Sequence, residues 1–323
     1  EIDGNRRFLL GDFTVTHNTI TAIYIASMIS MKTIVVIKNI VLIKQWKESI
    51  EKFCPTAKVQ ALTPKSKMDK DAHFYIMNAI NIPKMYRSFF KDIGLVIVDE
   101  VHLIVTRALS LAFQYLAPKY CLALSATPER PDGMDALIDV YFGSHRIFRK
   151  LNRKHIAYRI DTGFKPVYDQ GDWNAVLNQQ AESERHNGFI FKIVEKFKDR
   201  NFLMLCKRVG HAKYLCEELA KRGEKVCTLV GTQKDYDPEA RILIGTVGKV
   251  GVGFDHPKLN ALIIAGDVEE YFIQYLGRVM RTREGEPIIF DLVDNNASLK
   301  RHYYTRSKIY RNHGGVIKKL VLD

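Results

Sequence analysis

The chain has 323 residues, 46% of them hydrophobic, which is enough to build two cores of ordinary domain size. Forty-nine Lys and Arg face 36 Asp and Glu, a formal charge of +13 with a pI near 9.4, a balance that favours a polyanionic partner but also occurs on proteins that are merely basic. Five cysteines (Cys54, Cys121, Cys206, Cys216, Cys227) without a C-x-x-C pair argue against a disulfide frame or a zinc site. No apolar run approaches a membrane span and the start is unlike a signal peptide, so the reading is cytoplasmic, with no membrane partner.

Short apolar runs alternate with amphipathic stretches, the pattern of parallel sheets covered on both faces. A helix is predicted over 19–26, then a β-branched buried strand over 33–37. A second helix spans 44–53, with Ile43, Trp46, Ile50 and Phe53 at helical spacing. Strands follow at 74–77, 95–98 and 121–124, and a mixed stretch runs from the Pro128–Gly133 break to about Arg185. The second set has helix 190–197, strand 202–205 and a helix over 211–222 that Gly223 should stop. Strands at 225–229, 241–244 and 261–265, helix 271–281 and strand 287–292 complete it.

Chemistry-bearing residues sit just past these strands. Asp99-Glu100-Val101-His102 follows Leu95-Val96-Ile97-Val98, and residues beyond the C-terminal end of a buried parallel strand face the crevice where ligands bind. One carboxylate there can hold a magnesium ion through water, and its neighbour can orient or deprotonate an attacking water. Ser125-Ala126-Thr127 follows the next strand, and Thr246 through Gly253 to Asp255 follows a strand of the second set. Gln274, Gly277, Arg278 and Arg281 lie on a predicted helix, where positions 278 and 281 share a face. Two guanidinium groups so placed can neutralise charge on a transferring phosphoryl group.

The order D-E-V-H, S-A-T, Q-Y-L-G-R-V-M-R resembles superfamily-two helicases of the DEAD/DEAH-like, here DEVH-box, kind. Segments 40–46, 123–133 and 253–281 are most similar to the DNA-repair and transcription branch, which includes phage and large-DNA-virus enzymes. The resemblance implies an α/β fold of two tandem RecA-like parallel-sheet domains. It also implies an ATP-dependent helicase or translocase that works as a monomeric motor on nucleic acid, DNA favoured over RNA. By the same resemblance Thr19 and Asp99 would serve Mg2+, Glu100 the hydrolytic water, and His102, Ser125 and Thr127 the coupling of nucleotide state to domain closure. Gly253 and Asp255 would approach ATP from the second domain, Gln274, Arg278 and Arg281 would complete the catalytic set, and Lys38 and Thr246 would touch the nucleic acid. Lys38-Asn39 departs from the family's usual Pro-Thr at that place.

Ahead of Thr19 the family's G-x-x-x-x-G-K-[ST] phosphate loop reads Thr14-Val15-Thr16-His17-Asn18-Thr19, with only the last residue in keeping. Residues 3–18 resemble the C-terminal end of an intein, in which Asn18 cyclises to cut its own bond to Thr19, His17 acts as general acid and Thr19 is the nucleophile. The expected organisation is an intein remnant over 1–18, a partial first domain over 19–142 lacking its N-terminal strand and most of the phosphate loop, and a linker over 143–185. A second domain follows over 186–299 and a basic tail over 300–323. On this reading the loop lysine lies upstream and the chain alone hydrolyses ATP poorly. The alternative is a non-hydrolysing nucleic-acid-binding relative with a decayed loop. In the tail, Lys300, Arg301, Arg306, Lys308, Arg311, Lys318 and Lys319 alternate with Tyr303, Tyr304 and Tyr310; single-strand stacking and a packed terminal helix are equally open.

Overall fold

Continuous apolar runs become the buried centres of two parallel sheets, one in each of two units, Glu1–Arg149 and Lys150–Asp323. The computed structural model describes residues 18–106, 109–125, 133, 136–147, 152–167, 172–233, 235–250, 256, 258–269, 272–282 and 285–322.

The first unit contains α1 (Asn18–Ile29), β1 (Thr33–Ile37), α2 (Val41–Phe53), β2 (Val59–Leu62), β3 (Phe74–Asn78), β4 (Leu95–Val98), α3 (Val101–Ile104), β5 (Tyr120–Ala123) and α4 (Ala136–Phe142). Its five strands run parallel in the order β2-β3-β1-β4-β5. β1 and β4 are buried along their whole length because helices cover both faces, which is why they read as unbroken β-branched runs. On α2, Leu42, Trp46 and Ile50 face the core at four-residue spacing, whereas Phe53 is 43% exposed. The predicted stripe therefore ends one turn early, at the helix terminus.

The second unit contains β6 (His155–Asp161), α5 (Trp173–Glu182), α6 (Glu184–Lys196), β7 (Phe202–Cys206), α7 (Val209–Lys221), β8 (Val226–Leu229), β9 (Ile242–Thr246), α8 (Val247–Val250), β10 (Ala261–Ile264), α9 (Phe272–Val279), β11 (Ile288–Val293), α10 (Ala297–Asn312) and β12 (Gly315–Lys319). Seven parallel strands take the order β12-β6-β11-β10-β7-β9-β8. The pleat sends Phe202, Met204 and Cys206 of β7 into one core and Leu203 and Leu205 into the other. Gly223, at φ +81°, ends α7 as expected: its N–H and that of Glu224 donate to the carbonyls of Ala220 and Leu219.

Two stretches differ from the sequence-based organisation. Residues 143–185, expected as a linker, hold β6 and α5, and β6 pairs with β11 and β12 inside the second sheet. Residues 300–323, expected as a tail, continue α10 and form β12 of the same sheet. The cause is polar burial, which periodicity of apolar residues does not reveal. Helix α10 turns His302, Arg306 and Tyr310 inward at four-residue spacing. There Arg306 donates twice to Asp291 (2.9 and 2.7 Å) and once to the carbonyl of Val268 (2.7 Å), while the Tyr310 hydroxyl donates to Asp291 (2.7 Å). Arg306 and Tyr310 are thus structural partners within the fold, and Arg301, Tyr304, Lys308 and Arg311 form the exposed face.

Candidate functional site

In the first unit the register places the ends of β1, β4 and β5 side by side: Val36 pairs with Val98, and Val98 with Ala123. Lys38, Asp99 and Ser125 consequently emerge at one edge of the sheet, with no side-chain chemistry needed to gather them. Lys38 is exposed, and its carbonyl accepts a hydrogen bond from Asn78 Nδ2 at the end of β3 (2.7 Å). Thr19 stands in the first turn of α1, half-buried.

Asp99 is anchored by its backbone N–H to the carbonyl of Val36 (3.0 Å), and its Oδ2 accepts from the indole Nε1 of Trp46 (2.8 Å). Trp46 is 1% exposed, so its N–H needs an internal partner, and this carboxylate is that partner. Burial pushes the Asp99 carboxyl up from the ordinary range; the Trp46 indole and the Glu100 backbone N–H pull it back only in part.

Glu100 adopts the left-handed conformation at φ 50°, ψ 52°, which costs a non-glycine residue about 1–3 kcal/mol. The turn redirects the chain from β4 straight into α3 and carries His102 into the core, 2% exposed. There His102 Nδ1 lies 2.8 Å from Ser125 Oγ and 3.5 Å from Glu100 Oε2. The D-E-V-H and S-A-T segments, separated by two dozen residues, are therefore in direct contact.

In the second unit Thr246 is the last residue of β9. Gly245 before it has no room for a side chain, since a Cβ would collide with Val250, and this lets α8 fold tightly over the strand end. Helix α9 carries Gln274 and Arg278, and Arg281 stands two residues beyond its last turn; all three are half-buried. The Tyr275 hydroxyl donates to the carbonyl of Val247 (2.8 Å), tying α9 to the segment after Thr246. His17, Thr127, Gly253 and Asp255 lie outside the described residues, as does the side chain of Asn18.

Sequence reasoning missed two contributors. Trp46 was read as a core residue, although a buried indole in front of an acidic pair is a signal that could have exposed its second role. Arg153 was not singled out at all. Among the described residues no three His, Cys, Asp or Glu side chains cluster so as to hold a metal, and no helix is long and apolar enough to cross a membrane.

Comparison with known proteins agrees with this geometry. The family described as Type III restriction enzyme, res subunit, matches residues 14–130. The chain is 41% identical to "Putative helicase 161L" of Invertebrate iridescent virus 6, across 99% of this chain and 80% of that one, so the similarity extends into the first eighteen residues. It is 30% identical to "Putative helicase 055L" of Frog virus 3, across 94% of this chain and 73% of that protein. The fold matches the S. cerevisiae Dbp5 structure bound to RNA and ADP BeF3 with a TM-score of 0.67 at 13% identity, covering 95% of this chain and 83% of that one. Both units are RecA-like, and the chain belongs to the superfamily-two helicases.

Proposed function

We propose that the protein couples ATP hydrolysis to movement along a nucleic-acid strand, DNA before RNA, with the nucleotide served by residues of both units. The observation that carries this reading is the acidic pair. Asp99 is fixed by Trp46 and left under-compensated, while Glu100 beside it is held in a strained turn against the His102–Ser125 contact.

Asp99 and Thr19 would offer hard oxygen donors to Mg2+, which keeps several waters and takes the rest of its shell from phosphate. When bound, that ion would neutralise charge on the phosphates. Glu100 would orient the attacking water and accept its proton, and the fixed turn at φ 50° holds the carboxylate ready for that. His102 and Ser125, with Thr127, would transmit a change at Glu100 into the β5 strand end. Gly253 and Asp255 would meet the nucleotide from the second unit. Gln274, Arg278 and Arg281 would complete the catalytic set, the arginines countering charge as the phosphoryl group transfers. Lys38 and Thr246, each at a strand end of its own sheet, would grip the strand through phosphates, which gives affinity without sequence preference.

Residues 14–18 provide no lysine next to Thr19. Hydrolysis should therefore rise when His17→Gly and Asn18→Lys are introduced together, and no rise would favour the non-hydrolysing relative. The decisive experiment is phosphate release by the protein carrying His17→Gly and Asn18→Lys, the parent for every hydrolysis test below, with single-stranded DNA, and with RNA as a second arm. Stimulation by either strand that vanishes in Glu100→Gln, with ATP binding retained, supports the reading. Stimulation that survives Glu100→Gln overturns the assignment of the water-activating role.

A further inference from the structure

We infer that Arg153 is the positioning residue for the Arg278–Arg281 segment, a role that rests on the catalytic reading of those arginines. Its guanidinium gathers three backbone carbonyls at the end of α9. Nη1 donates to the carbonyl of Met280 (2.6 Å) and to that of Thr282, and Nη2 donates to that of Gly285 (3.1 Å). Met280 and Thr282 are the neighbours of Arg281 on either side. Arg153 thus grips the backbone just before and just after Arg281.

The physical need is clear. Met280, Thr282 and Gly285 lie beyond α9, so their carbonyls have no helical donor, and α9 has only 8 residues with which to hold its own shape. Past Val279 the backbone has left the helix, so an arginine at 281 would wander unless something outside the helix fixed it. One planar, permanently charged fork satisfies all three carbonyls at once, which a lysine's single nitrogen cannot match.

Arg153 is itself fixed from behind. Its backbone N–H donates to the carbonyl of His313 (3.1 Å), and its own carbonyl accepts from Nδ1 of the buried His155 (2.8 Å). Gly314, at φ +87°, lets the α10–β12 turn close onto it: a Cβ there would stand 2.8 Å from the Arg153 carbonyl oxygen. The C-terminal helix and strand therefore reach the segment around Arg281 through Arg153, beside the packing of Tyr310 on Phe272 of α9.

A double-mutant cycle in the full-length protein tests this. Arg153→Ala should lower kcat for strand-stimulated hydrolysis by about 10–100-fold with little change in KM for ATP, and Arg153→Lys should recover part of the loss. In an Arg281→Ala background, Arg153→Ala should cost nothing more, because its effect travels through Arg281. Amide hydrogen exchange over residues 276–282 should accelerate in Arg153→Ala whether or not the protein hydrolyses ATP. Full activity in Arg153→Ala, or losses that multiply in the double mutant, would overturn the proposal. Should Arg153→Ala fail to fold, Arg153→Lys decides by the same cycle: an unchanged kcat overturns it, and a loss that disappears in Arg281→Ala upholds it. A His17→Gly, Asn18→Lys parent without strand-stimulated hydrolysis would sink the catalytic reading, and unchanged exchange over 276–282 in Arg153→Ala would sink this one.

Discussion

Asp99 in the first unit and Asp294 in the second sit just beyond the C-terminal ends of buried parallel strands, and Asp291 lies within one, yet they are treated in opposite ways. Asp291 receives both arms of Arg306 and the Tyr310 hydroxyl. Asp294 receives Thr162 (2.5 Å), Gln180 (2.6 Å) and His186 (2.9 Å). Burial alone would raise Asp294, but His186 above all, with Thr162 and Gln180, brings it below the ordinary carboxylate range. Among the described residues Asp99 receives the Trp46 indole, and burial keeps it raised. A carboxylate saturated by its own protein holds the fold together, and one left short is available to a ligand.

Removing the side chains should separate these roles. Asp291→Ala strips the buried Arg306 guanidinium of its hydrogen-bonded counter-charge and leaves only Asp267 at 3.9 Å, a change that costs about 3 kcal/mol. Its second unit should unfold early in a urea titration. Asp99→Ala should cost about 1 kcal/mol, chiefly the orphaned Trp46 N–H, while eliminating hydrolysis. Equal stability losses in the two variants would erase the distinction.

Acid should act on the two units with opposite sign. His211, buried against Asn187 (2.7 Å), has its pKa pushed down to about 3 from 6.5, by burial first and by His186 second. Above pH 6.5 it is neutral in both folded and unfolded states and contributes nothing to pH dependence. Below that, only the unfolded chain takes up the proton, so stability falls, by about 2 kcal/mol at pH 5. Asp294, with its lowered value, adds loss below its unfolded pKa near 3.8. Asp99 is raised, so its folded form takes up a proton first and gains stability as the pH falls. Calorimetry from pH 7 to 5 should show the second unit weakening, and His211→Gln should flatten that slope; a slope unchanged by the substitution would contradict the assignment.

Trp46→Phe keeps an aromatic ring but removes the donor and part of the buried volume, so it should destabilise by about 1–3 kcal/mol and raise Asp99 further. The pH at which hydrolysis half-saturates should move up with it. The smallest effect concerns the proposed Asn18–Thr19 junction: intact mass after incubation should show loss of residues 1–18, and a mass that never changes would count against self-cleavage there.

Much of this was legible in the sequence, for identifiable reasons. β1 and β4 announce themselves because both faces are buried, leaving nothing polar to interrupt Thr33–Ile37 or Leu95–Val98. The acidic pair followed from its place after β4. β6 was missed because His155–Asp161 mixes polar and apolar residues, with Arg159 paired to Asp161 (2.7 Å). α10 was misjudged because its inward face is His302, Arg306 and Tyr310, buried by satisfied charge and not by hydrophobicity. The α2 spacing gave Trp46 its face but not its partner, 53 residues away. Arg153 left no trace, because its partners are backbone carbonyls 127 to 132 residues downstream, and a carbonyl has no letter in the sequence.

The most direct measurement is ATP-dependent phosphate release at saturating single strand by the protein carrying His17→Gly and Asn18→Lys, with and without Asp99→Asn. The account predicts a strand-stimulated rate in that parent that falls about 100-fold or more on adding Asp99→Asn, with the thermal midpoint nearly unchanged. A variant that hydrolyses ATP as its parent does, or loses its activity only by unfolding, would contradict it.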